Sequence, residues 1–170
     1  MHARLILPAA AIALLATGVI ARAATVVNSF GTWTLYSDDS AGKLCFLASR
    51  PSETAPAGAN RDAPLLYISS WVKDGVKAEI SVRLGFPAKK ASEPEITVSG
   101  NNGSNAFKLF VKDDRAFVTG TTQELKLLDA MKKGSKLTVQ SLSERGTAIT
   151  DTYPLAGITA ALQALAGGCG

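Results

Sequence analysis

Between Val76 and Phe86 apolar and polar side chains alternate almost without a break. Val76, Ala78, Ile80, Val82, Leu84 and Phe86 fall on one side, and Lys77, Glu79, Ser81 and Arg83 on the other. A period of two over that length predicts a strand with one buried face, as in an antiparallel sheet. Leu65–Val72 reads as its partner, joined through the hairpin turn Lys73-Asp74-Gly75. Similar patterns predict strands at Val26–Phe30, Trp33–Ser37, Lys43–Ser49 and Glu95–Ser99. Two more hairpins follow: Asn105–Lys112 with Arg115–Thr119 around Asp113-Asp114, and Lys136–Ser143 with Thr147–Tyr153 around Glu144-Arg145-Gly146.

Two segments change period. Thr121 and Glu124 have the spacing of a capping box, and Leu125, Leu128 and Met131 then recur on one helical face. Lys132 and Lys133 suit the negative end of the helix dipole, and Gly134 stops it. A second helix is predicted over Ala156–Ala166, with Ile158, Leu162 and Leu165 as its buried stripe and Gly167-Gly168 as its end. The resulting fold class is mainly β: an antiparallel β-sandwich or curved sheet with two packed α-helices. The segment Ser49–Pro64 has no periodicity, three prolines and several small or polar residues, and reads as a long mobile loop.

The amino-terminal segment follows a different logic. Met1–Arg4 is cationic, Leu5–Ile20 is apolar, and Ala21-Arg22-Ala23 has the small-x-small pattern of a cleavage site. This order predicts a secretory signal peptide, residues 1–23, cut after Ala23. The apolar run is about 16 residues, short of the roughly 20 that span a bilayer. Pro8 and Gly18 interrupt it, and no charged stop-transfer cluster follows. Cleavage leaves residues 24–170 as a single domain with no integral membrane span.

Charge and composition then exclude much chemistry. The chain carries 18 Lys and Arg against 14 Asp and Glu, a formal charge of +4. Arg4 and Arg22 leave with the leader, so the mature charge is about +2, without the concentrated basic face that nucleic acid requires. The only histidine, His2, leaves as well, which removes imidazole as a ligand, base or switch. No metal site, cofactor or catalytic residue is predicted. Asp38-Asp39 and Asp113-Asp114 read as turn formers. Ser40-Ala41-Gly42-Lys43 matches S-x-x-K but lacks the accompanying motifs. Asn102-Gly103-Ser104 is a glycosylation acceptor only on a eukaryotic secretory route.

The two cysteines, Cys45 and Cys169, suit one disulfide in an oxidising compartment, closing a loop of about 125 residues. A reactive or intermolecular thiol is the alternative, but no activating group stands near either in sequence. Among the aromatic residues, Trp33 and Trp71 fall on alternating strands and read as core. Phe110 lies between Lys108 and Lys112, opposite Phe107, Leu109 and Val111, and is a surface candidate.

The order of these features resembles the invasion-associated locus B family of exported bacterial proteins. The residues that carry the resemblance begin with Phe30-Gly31-Thr32-Trp33 after the leader and Cys45 after a polar turn. They continue with Leu84-Gly85-Phe86 ending a strand, and the Leu125–Met131 helix followed by Lys133-Gly134. The closing segment Tyr153-Pro154-Leu155-Ala156-Gly157-Ile158-Thr159-Ala160-Ala161-Leu162 is the most specific part. The resemblance spans nearly the whole mature chain. It departs where family members carry further cysteines: here Tyr36-Ser37 stands near the opening tryptophan, and Gly100–Gly120 has none.

The resemblance implies a periplasmic or secreted, non-enzymatic protein of a Gram-negative bacterium, whose family namesake is linked to host-cell entry. Its expected partner is another envelope or host protein. Two other functions fit the composition: a periplasmic small-ligand binder with an aromatic-lined cavity, and a carboxylate-based hydrolase with two acids across a cleft.

Overall fold

The computed structural model describes residues 23–39, 43–71, 73–101 and 103–168. Strands β1 (Thr25–Phe30), β2 (Trp33–Asp38) and β3 (Leu44–Ser49) form a meander, followed by the short β4 (Glu53–Ala55). Next come β5 (Leu65–Trp71), β6 (Val76–Arg83), β7 (Glu95–Gly100), β8 (Gly103–Lys112) and β9 (Arg115–Val118). Helix α1 (Thr121–Lys133), the hairpin β10 (Lys136–Leu142) and β11 (Ala148–Pro154), and helix α2 (Ile158–Ala166) complete the order.

Every pairing is antiparallel, in the order β1-β2-β3-β5-β6-β9-β8-β7-β10-β11-β4. Strand β8 joins two sheets. Its first half, Gly103–Lys108, pairs with β7, and its second half, Leu109–Lys112, pairs with β9. The first sheet therefore runs from β1 to the end of β8, and the second from the start of β8 to β4.

Both sheets feed one core. Leu35, Leu47, Ile68 and Ile80 of the first sheet cluster with Ile96, Val98, Leu137 and Val139 of the second. Burying each such side chain contributes about 1.5–3 kcal/mol. Trp33 is fully buried, and its indole Nε1–H donates to the Pro154 carbonyl at 3.2 Å, linking β2 to the end of β11. Helix α1 packs on β6, β7 and β8, while α2 packs on β1, β2 and β3 and touches α1. Their buried faces join the same cluster, so the mainly β fold with two packed helices is the one the periodicity predicts.

Several local expectations change. In α1, Leu125 is 61% exposed, and Leu127 takes its place beside Leu128 and Met131 in the core. The expected capping box does not form: Gly120 is the N-cap and makes no side-chain hydrogen bond. The Glu124 carboxyl instead engages the backbone of Ile80; its pKa lies above the ordinary value, mainly through burial. In α2 the buried residues are Ile158, Ala161 and Leu165, with Leu162 only half-buried. That helix begins after Gly157, whose φ is 88° and whose Cβ position would lie 2.4 Å from the Phe30 carbonyl oxygen. Only glycine fits so close an approach in that conformation.

The largest correction concerns Ser49–Pro64, read from sequence as mobile. The segment is fastened at two places, around β4 and around Arg61-Asp62. β4 pairs with β11, and the Asp62 N–H donates to the Gly85 carbonyl at 3.0 Å. Arg61 buries its guanidinium, as described below. The predicted leader through Arg22, together with Ser40, Asn102 and Cys169, lies outside the described residues. Among those described, no helix is long and apolar enough to cross a membrane.

Candidate functional site: an uncovered aromatic sheet face

Alternation sends one set of side chains in the first sheet toward the core and the other set outward. On the outward side, register places aromatic residues next to one another across strands. Tyr36 on β2 sits opposite Phe46 on β3, and their rings stack 5.0 Å apart at 11°. Phe46 meets Tyr67 of β5 at 5.9 Å in a tilted arrangement. One row further, Tyr67, Ser81, Phe117 and Phe110 are successive register partners on β5, β6, β9 and β8. The Phe110 and Phe117 rings stack at 5.4 Å, and Phe110 is 48% exposed.

Five of the chain's eleven aromatic residues thus share one face. Core, helices and second sheet all lie on the other side of these strands. Aromatic pairs of this kind stabilise a sheet by roughly 0.5–1.5 kcal/mol beyond the area they bury. Their exposed edges also offer large, rigid contact area at low entropic cost, the property that enriches aromatics at interfaces.

Basic groups border this ridge. The Arg115 guanidinium lies 5.4 Å from the Tyr67 ring centroid, within cation–π range. Arg83 forms ion pairs with Asp62 at 3.0 Å and Asp114 at 3.3 Å. Lys108 pairs with Glu93 at 2.7 Å, a contact that raises the lysine's pKa. At the β2–β3 end, a recess of about 410 Å³ opens between Thr34, Tyr36, Phe46, Tyr67 and the Arg50–Ser52 corner.

A second polar constellation is structural. Arg61 and Asp151 form an ion pair with side-chain exposures of 4% and 0%. Arg61 also donates to the Leu84 carbonyl at 2.8 Å and to Thr54 Oγ1 at 3.1 Å, while Thr54 donates to Asp151 at 2.7 Å. The guanidinium rests 5.7 Å from the Phe86 ring centroid. These bonds hold the long loop against β11. Nearby Tyr153 is fully buried, and burial together with the Asp151 charge pushes its hydroxyl well above the ordinary range.

The residues singled out from sequence fall as follows. Phe110 is on the surface, as its flanking lysines predicted. Trp33 is core, and Trp71 is half-buried at the end of β5. Asp113 adopts φ 57° in the β8–β9 turn, and Asp114 holds Arg83. Cys45 is fully buried on the inner side of β3. Sequence reasoning did not single out Tyr36, Phe46, Tyr67 or Phe117. The signal was weak: LCFLAS, LLYISSW and RAFV carry apolar residues on both parities, so alternation alone does not tell the outward aromatic from the core. Among the described residues, no group of three or more His, Cys, Asp and Glu is placed to hold a metal ion.

Comparison with known proteins places this architecture. A search of the curated proteins found no match. Among solved structures, the crystal structure of invasion associated protein b from Bartonella henselae superposes with a TM-score of 0.60 at 15% identity. The alignment covers 82% of this chain and 95% of that one, a likeness of fold. Residues 33–166 match the family described as invasion associated locus B (IalB) protein. That match spans β2 to the end of α2 and so includes both sheets and the aromatic face: the chain belongs to the invasion associated locus B family.

Proposed function

We propose that this protein is exported, loses residues 1–23, and serves in the periplasm or at the cell surface as a non-enzymatic binding domain for another envelope or host protein. The observation that carries the reading is the aromatic ridge on a sheet face that neither helix nor the second sheet covers. Phe110 is exposed and Tyr36, Phe46, Tyr67 and Phe117 are half-buried beside it, and contiguous apolar patches of this kind mark interaction sites. Family membership supports the export and envelope parts of the reading. The tripartite leader supports them independently.

A disulfide between Cys45 and Cys169 belongs to the same proposal. Helix α2 packs on β1–β3, where Cys45 is buried, and ends at Ala166, three residues before Cys169. No free cysteine stands among the described residues.

Site-directed photocrosslinking in the native host tests the reading. A photoreactive residue at Phe110 is expected to give a discrete protein adduct. The same residue at Leu125, more exposed still on α1 but outside the ridge, is expected to give none. Equal labelling at both positions, or none at Phe110, refutes the aromatic face as the binding surface.

A further inference from the structure

Beside the aromatic row runs a row of like charges. Leu65, Arg83, Arg115 and Lys112 are successive register partners across β5, β6, β9 and β8, one outward step from Tyr67, Ser81, Phe117 and Phe110. Three adjacent strands therefore present cations directly opposite one another, an arrangement that destabilises a sheet unless anions intervene. For Arg83 the chain supplies Asp62 and Asp114. For the opposed pair Arg115 and Lys112 it supplies no carboxylate among the described residues, although Asp113 stands exposed in the turn between them. The Arg115 guanidinium carbon lies 5.4 Å from the Tyr67 ring centroid, beside the aromatic row, and a guanidinium can meet a carboxylate through two parallel N–H donors.

From this geometry we infer that the protein-binding face proposed above takes an extended acidic segment of its partner, laid across the strands. Carboxylates of that segment meet Arg115 and Lys112, and its apolar side chains lie along Phe110, Phe117 and Tyr67. The parallel rows supply the complementarity, one reading charge and the other apolar surface. From β5 to β8 the site crosses three inter-strand gaps, on the order of 14 Å at about 4.8 Å each. An extended chain covers that with about four residues. The inference rests on the proposed binding role and names the chemistry of the occupant.

The test uses a dye-labelled peptide of alternating glutamate and phenylalanine, read by fluorescence anisotropy against the mature, oxidised protein. Binding is expected to weaken as salt is raised. In the Arg115→Gln/Lys112→Gln double variant it should fall by at least about tenfold, since truncating charges at a contact removes attraction directly. Arg115→Lys retains charge without the fork and is expected to lie between. An unchanged thermal midpoint in each variant separates lost contact from lost folding. Equal affinity of the double variant and the parent overturns the inference. So does binding confined to phosphatidylglycerol vesicles, with none to the peptide. If the Phe110 crosslink persists in the double variant, the binding role stands and only the acidic occupant is rejected.

Discussion

Arg61 and Asp151 are ninety residues apart in sequence and joined in the interior. Removing two charges from water is costly, and their attraction repays the cost only when the remaining donors and acceptors are also satisfied. Here Thr54 and the Leu84 carbonyl satisfy them. Breaking one side leaves a buried, uncompensated charge, so Arg61→Leu is expected to lower unfolding stability by about 3–5 kcal/mol. Urea titration followed by tryptophan fluorescence measures this. The double variant Arg61→Leu/Asp151→Leu should recover most of the loss, because no lone charge remains; an unshifted midpoint in the single variant contradicts the role given to the pair. Half of this feature was visible in the sequence. Alternation through Ile149, Asp151 and Tyr153 puts a carboxylate on an apolar face, and a carboxylate there demands a cation. Its partner was hidden because Arg61 stands among small polar residues, in a segment whose composition resembles an unanchored loop.

Elements with a strong period were legible, and those formed by backbone pairing alone were not. The alternation of β6 and the hairpins of β8–β9 and β10–β11 can be read to within a few residues. β4 cannot: Glu53–Ala55 has no apolar alternation, and it forms because β11 offers an open edge. Helix α1 shows how a period can be read and still be misplaced. Leu125, Leu127, Leu128 and Met131 support two overlapping stripes, and only packing on β6–β8 chooses the one with Leu127. Leu127→Ala is accordingly expected to cost about 2–5 kcal/mol as a cavity opens. Leu125→Ala should change stability by less than about 0.5 kcal/mol, as surface substitutions do. Thermal and urea unfolding of the two variants side by side checks the assignment; similar losses in both reject it. The same ambiguity of facing explains the outward aromatics. A strand read for its buried parity yields the core correctly and leaves Phe46 and Tyr67 unexamined.

At the scale of the molecule, the open question of stability is how α2 is kept on the first sheet. The helix has nine residues, too few to be stable alone, and its hold comes from Ile158, Ala161 and Leu165 against the inner side of β1–β3. The proposed Cys45–Cys169 bridge would tie its far end to the strand beneath it. In the chain-entropy account a loop of about 125 residues is worth at most about 5 kcal/mol, and native-state strain reduces the gain. Protein recovered from an exporting host is then expected to lack residues 1–23 and to weigh two hydrogens less than its reduced form. Reduction, or Cys169→Ser, should lower the unfolding midpoint. The loss should appear first as faster amide exchange in α2, while β10 and β11 keep their protection, because local opening begins where fewest apolar contacts hold. If both cysteines of the exported, native protein react with an alkylating reagent, the bridge does not exist, and α2 is held by packing alone.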